Sequence, residues 1–176
     1  MKLKYFFLAI MLLTAVMACK QIEQETRVGL TPAIGERMQM APFKKSSLND
    51  KSTIDSQQFD GQVLLVAFFA TWCPPCIQEI PTLIALQDSY KSKGFSVVAF
   101  SVDEGDLAPL KKLINKTGIN YPVLLADSEV ARSFGGVTGI PVVFLVNREG
   151  EIVKKYLGYT SHDILEEDIK TVLTAG

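Results

Sequence analysis

A continuous apolar run, Val63-Leu64-Leu65-Val66-Ala67-Phe68-Phe69-Ala70, leads into two cysteines separated by two residues, in the stretch FFATWCPPCIQEIP over 68–81. An unbroken run of this length is the pattern of a strand covered on both faces, because a half-exposed strand alternates. Beyond the run, Pro74 and Pro75 fit the first turn of a helix, where a missing N–H costs nothing. The chain therefore has to place a buried strand, a short turn and a helix start in succession, with Cys73 at or just before the helix N-terminus.

That placement has chemical consequences. The unpaired N–H groups and positive dipole end of a helix start favour negative charge. A free thiol with a pKa of about 8.5 is only about 3% ionised at pH 7, whereas one lowered to about 6.5 is roughly three quarters thiolate. The thiolate is the attacking species in disulfide exchange, and a second cysteine one helical turn on can resolve the mixed disulfide. Cys73 is thus the expected nucleophile and Cys76 the resolving thiol, with an inert structural disulfide as the alternative. A structural zinc site needs about four ligands, and beyond this pair the chain has only Cys19 and a single histidine, His162. A c-type haem would need histidine where Ile77 stands. Neither a metal nor another cofactor is expected.

With 176 residues and a net charge of −1, the chain has one domain's length and no charge basis for nucleic-acid binding. Residues 1–18 read as a signal segment: Lys2 and Lys4 precede an apolar stretch, 6–16, too short to span a bilayer. Its end, Val16-Met17-Ala18-Cys19, resembles a bacterial lipobox, which makes Cys19 the expected lipidation site. Ordinary cleavage after Ala18 is the alternative. The polar segment 19–41 reads as a tether and 42–176 as the folded domain.

Within that domain, 43–47 and 52–54 form a hairpin around Leu48-Asn49-Asp50-Lys51. A helix over 74–92 follows the buried strand, closed at Gly94, with Ile77, Ile80 and Ile84 as its core stripe and a kink expected at Pro81, which removes the bond to the Ile77 carbonyl. The next strand, 95–102, completes a βαβ unit with parallel pairing. The acidic loop 103–106 reads as a solvated turn, with a metal site as the alternative. A helix over 107–117 ends at Gly118, and a strand at 123–125 precedes a short helix over 128–134. Strands at 142–146 and 152–157 flank the turn Asn147-Arg148-Glu149-Gly150. A final helix, 161–173, is expected to be capped by Thr160 and to turn Ile164, Leu165, Ile169, Val172 and Leu173 inward. His162 opens it as a solvated residue.

This order, with WCPPC at a strand-to-helix junction, Glu79 and Pro81 after it, Ser101-Val102-Asp103 at a strand end and Thr138-Gly139-Ile140-Pro141 before a late strand, resembles the thioredoxin superfamily. It is most similar to the membrane-tethered TlpA/ResA-type proteins, over roughly 42–174. The resemblance implies an α/β, thioredoxin-like fold: a central mixed β-sheet with helices on both faces, an N-terminal β-hairpin and an extra inserted helix within 103–128. It implies that Pro141 is a cis-proline beside the cysteines, that Ile140 offers backbone groups to a client, and that Gly158 keeps the rim of the groove low. Trp72, Pro74 and Pro75 complete the expected client-contacting set. Where plain thioredoxin has a buried aspartate on the strand before the motif, this chain has Ala67. Glu79, one turn past Cys76, matches the family's glutamate and is expected to accept the resolving thiol's proton.

The implied activity is that of an extracytoplasmic, lipid-anchored thiol–disulfide oxidoreductase reducing client disulfides, with cytochrome c maturation as a candidate role. A membrane thiol donor would restore a monomeric enzyme. The alternatives are a disulfide-forming oxidase, a thiol peroxidase, or a lipid-anchored binding protein whose disulfide is inert.

Overall fold

A computed structural model describes residues 38–175 of the chain. Among them, β1 (Met38–Gln39), β2 (Lys44–Ser46), β3 (Thr53–Asp55), β4 (Val63–Phe69) and α1 (Pro74–Tyr90) lead to β5 (Phe95–Ser101), α2 (Ala108–Thr117) and β6 (Val123–Leu125). Then come α3 (Ser128–Ser133), β7 (Val142–Val146), β8 (Glu151–Leu157) and α4 (His162–Thr174).

The main sheet has six strands in the order β1-β8-β7-β4-β5-β6. β4 lies parallel to β5, and β5 to β6, while β7 runs antiparallel to both β4 and β8. This mixed sheet is the thioredoxin-like architecture. β2 and β3 pair separately as an antiparallel hairpin. Its loop also covers the open side of β6: the Leu48 N–H donates to the Val123 carbonyl, and Asn49 Oδ1 accepts from the Val123 N–H. An edge strand covered in this way is not left as a template for another chain.

All seven residues of β4 are buried because both faces of the sheet are covered. Val63, Leu65, Ala67 and Phe69 pack with the buried sides of α1, α2 and α4. Leu64, Val66 and Phe68 face a second layer built from the hairpin residues Phe43 and Ile54, together with Val130 and Phe134. In that layer the Phe68 ring stacks on Phe100 at 5.3 Å and meets Phe134 and Phe144 edge-on at 5.3 and 5.9 Å.

Several elements depart from the sequence reading. Met38–Gln39 falls in the segment expected to be a tether, yet Met38 pairs with Ile152 and the sheet starts before residue 42. The buried face of α1 is Cys76, Glu79, Ile80, Leu83, Leu86, Gln87 and Tyr90, with Ile77 and Ile84 only partly buried beside it. The helix runs on through Pro81, which lies on its exposed side, and a turn of 3-10 helix carries the chain to Gly94 in the left-handed region. α4 buries Leu165 and Ile169 and packs Val172 and Leu173 against the core as expected, but Ile164, at the edge of that face, is 51% exposed.

Phe68→Ala should remove the shared partner of three aromatic rings. Its expected cost is about 3–5 kcal/mol, read as a lowered urea midpoint, and a loss below about 1 kcal/mol would contradict this core.

Candidate active site

The site is built where β4 gives way to α1. Cys73 is the N-cap residue, with extended backbone (φ −104°, ψ 98°), and Pro74 and Pro75 occupy the first helical positions. The Cys76 N–H donates to Cys73 Sγ at 3.3 Å, so the sulfur holds the place that a serine or aspartate oxygen takes in an ordinary cap. The Ile77 N–H closes the first helical bond onto the Cys73 carbonyl at 3.1 Å. The cysteines are joined as a disulfide with Cα atoms 5.3 Å apart. In this oxidised state Cys73 is 5% exposed and Cys76 2%. Trp72, immediately before them, is 67% exposed and makes no core contact of the kind an ordinary buried aromatic would.

The turn ahead of Cys73 is held by a group whose role the sequence reading missed. The Asp103 carboxylate accepts from the Thr71 N–H at 3.0 Å, from Thr71 Oγ1 at 2.6 Å and from Ser101 Oγ at 2.7 Å. The Val102 N–H adds a bond to the Phe69 carbonyl at 2.9 Å. The ends of the parallel strands β4 and β5 are thereby locked together directly beneath Trp72 and Cys73. Asp103 is not the solvated turn residue expected, although its neighbours Glu104 and Asp106 are exposed. A Ser-x-Asp sequence at the end of the buried strand that flanks the cysteine strand was the available signal.

Glu79 lies on the buried face of α1, one turn past Cys76, and is only 2% exposed. One carboxylate oxygen accepts from the Thr160 N–H at 3.0 Å. Burial pushes its pKa up to about 7, and the Thr160 bond offsets only part of that rise. Tyr121 is buried nearby, and its phenol is pushed upward by burial first and by the Glu79 charge second. The backbone of Thr160 therefore serves Glu79 rather than the last helix. Ser161 is the N-cap residue of α4, without a side-chain capping bond, so the capping expected of Thr160 is not formed.

The remaining candidates gather where β7 begins and β8 ends. The Ile140–Pro141 peptide bond is cis. Ile140 packs against the apolar cluster that contains both cysteines. The Gly158 N–H donates to the Pro141 carbonyl at 2.8 Å, joining these two positions, and Gly158 has a φ of +77° with open space where a Cβ would stand. Leu157 and Tyr159, which flank Gly158, are 75% and 50% exposed. Cys19 lies outside the described residues. His162 opens α4 with 39% of its side chain exposed, 3.5 Å from Asp163. No group of three or more His, Cys, Asp or Glu side chains among the described residues is arranged to hold a metal, and no helix among them is long and apolar enough to cross a membrane.

This arrangement has known counterparts. A family model described as Redoxin matches residues 35–173. The thiol-disulfide oxidoreductase ResA of Bacillus anthracis is 31% identical over 141 residues, covering 78% of this chain and 80% of that protein. Its namesake from Bacillus subtilis is 29% identical over 136 residues, covering 77% of this chain and 74% of that protein. The crystal structure of a thiol:disulfide interchange protein of the thioredoxin family from Chlorobium tepidum superposes with a TM-score of 0.73 at 33% identity. It covers 80% of this chain and 99% of the other.

Burial of Glu79 makes a pH prediction for the oxidised protein, in which no thiol competes for the proton. The folded chain holds the Glu79 proton up to about pH 7, whereas the unfolded chain releases it near 4.5. Between those values the native state binds more protons, so stability falls as pH rises through this window and then levels off. Glu79→Gln removes that contribution. The stability difference between Glu79→Gln and wild type, from urea unfolding, should therefore shift on the order of 3 kcal/mol in favour of the variant between pH 4.5 and 7. A difference independent of pH would contradict the burial of an ionisable carboxyl here.

Proposed function

Since the chain belongs to the Redoxin family and is a thiol–disulfide oxidoreductase of the TlpA/ResA type within the thioredoxin superfamily, we propose that it reduces disulfides of client proteins outside the cytoplasm. It does so through Cys73 and Cys76 while tethered by a lipid on Cys19. In the reduced protein the Cys73 thiolate attacks one sulfur of a client disulfide. That bond breaks, its far sulfur leaves as a thiolate that takes up a proton, and a mixed disulfide joins client and Cys73. Cys76 gives up its proton, attacks Cys73 Sγ and expels the second client sulfur. The client gains two electrons and two protons, and the enzyme is left with the Cys73–Cys76 disulfide. A membrane dithiol returns it to the reduced state by the same exchange run in the opposite direction.

The observation that carries this proposal is the pairing of groups on the first two turns of α1. The cap position gives Cys73 a donor for a sulfur-centred negative charge. The buried Glu79, with a pKa near 7 and one turn past Cys76, is placed to take the resolving proton. Its position also supports the reducing direction. A strong oxidant gains its power from a stabilised reduced form, and a buried carboxylate beside the pair opposes thiolate charge rather than supporting it. Ile140 and Pro141, with the exposed Trp72, Pro74 and Pro75 and the low rim at Gly158, form the face against which an extended client segment lies.

The proposed location rests on the N-terminal sequence: Lys2 and Lys4, the apolar stretch 6–16 and the Met17-Ala18-Cys19 end support export and acylation. Exported thiols oxidise, so a tethered reductant has work there. Cytochrome c maturation, which needs reduced cysteine pairs in an exported apoprotein, is the role in which we place this monomeric enzyme.

The test is trapping in cells. Cys76→Ser should accumulate dithiothreitol-sensitive mixed disulfides through Cys73 in the membrane fraction, and adding Cys19→Ser should move them to the soluble fraction. Capture of nothing, or a wild-type potential near about −120 mV against glutathione, would sink the reductant assignment.

A further inference from the structure

We propose that the groove between Trp72 and α2 is a docking surface for an acidic segment carrying an apolar or aromatic residue, on the protein that exchanges disulfides with Cys73. The proposal presupposes the oxidoreductase chemistry above and adds a partner class to it. The groove has a volume of ≈ 370 Å³ and is lined by Thr71, Trp72, Pro109, Lys112, Leu113 and Lys116. Residues 109, 112, 113 and 116 fall at helical spacing on one face of α2, while Leu110 and Ile114 turn into the core. The groove thus has an apolar floor, formed by Trp72, Pro109 and Leu113, and a basic rim.

Charge decides what fits it. Lys112 and Lys116 stand one turn apart and carry the same sign, an arrangement that opposes itself on a helix. Neither has an ion pair or a side-chain hydrogen bond among the described residues; Lys44, Lys45, Lys91, Lys154 and Lys170 are paired with carboxylates, and Lys111, next to Lys112, is without an ion pair as well and adds to the positive charge of α2. Of the acids in the loop before α2, Asp103 has its oxygens turned onto Thr71 and Ser101, and Asp106 accepts from the Ala108 N–H at the start of the helix, so neither is engaged with these lysines. Against a chain whose net charge is only −1, two lysines without a direct ion pair on one helix face form a local basic site. Carboxylates at helical or extended spacing would pair with both lysines, and an apolar side chain between them would cover Trp72 and Leu113. Because Trp72 precedes Cys73 directly, a segment held there delivers its disulfide to the nucleophile. A bilayer is disfavoured as the occupant: the rim holds two lysines around a concavity, and a membrane laid on Trp72 would cover the sulfur that must meet its partner.

The experiment measures oxidation of the reduced full-length protein by stopped flow, using its single tryptophan as reporter. Three disulfides are compared: an acidic peptide, a basic peptide of otherwise equal sequence, and neutral hydroxyethyl disulfide. The acidic peptide should react roughly tenfold faster than the basic one at low ionic strength, and the two should converge in high salt, a result that needs no variant. Lys112→Glu with Lys116→Glu should reverse the order of the two peptides, and Lys112→Gln with Lys116→Gln should abolish the preference. Equal rates for the two peptides with wild type, or a preference untouched by these substitutions, would overturn the docking surface while leaving the exchange chemistry standing. Lysine-dependent binding to vesicles containing anionic phospholipid, without peptide discrimination, would overturn it in favour of a membrane contact. Inactivity toward all three disulfides would remove the oxidoreductase reading, and the docking surface with it.

Discussion

One hydrogen bond organises this molecule: the Cys76 N–H pointing at Cys73 Sγ where α1 begins. It makes the two cysteines unequal. Cys73 occupies the cap, where partial positive charge is concentrated, and Cys76 lies inside the first turn with its sulfur on the buried face of the helix. Everything that fixes this helix start supports the inequality. β4 is clamped between β5 and β7 and covered on both faces, Asp103 locks the turn beneath Trp72, and the two prolines need no partners for N–H groups they lack. A looser junction would leave two ordinary thiols two residues apart.

The second constraint is the buried carboxyl. Glu79 links α1 to the backbone at Thr160, just ahead of α4, so the buried carboxyl to which we assign the resolving proton also ties the active helix to the last element of the domain. Its burial costs stability once it ionises, and that cost is the reason its proton is available near neutral pH. The start of β7 and the end of β8 complete the site from the opposite direction, with Pro141 and Gly158 bonded to one another and Ile140 lying on the cluster that holds the sulfurs.

Much of this was legible before any coordinates. An eight-residue apolar run, paired prolines and left-handed glycines at 94 and 118 encode strand and helix limits through local sterics, and these act in any context. What was not legible depended on partners distant in sequence. Gln87 is buried because its side-chain oxygen accepts from the Val97 N–H at 2.6 Å, and Glu79 because it accepts from Thr160. Two polar residues on the inward face of α1 therefore shifted the apparent apolar stripe toward Ile77 and Ile84. Asp103 looked like a surface acid because its partners at Thr71 lie thirty-two residues away. Met38–Gln39 is too short a strand to show any period, and its pairing with β8 exists only in the folded sheet. Local rules placed the chemistry, and tertiary hydrogen bonds decided which polar side chains serve it.

The most direct measurement of the central claim compares the two sulfurs with each other. The reduced protein is treated with limiting iodoacetamide at neutral pH, and the modified cysteine is located by peptide mapping. The helix start beneath Cys73, with Cys76 one turn deeper in the helix, predicts alkylation of Cys73 well ahead of Cys76. Equal modification of the two, or modification of Cys76 first, would contradict the account.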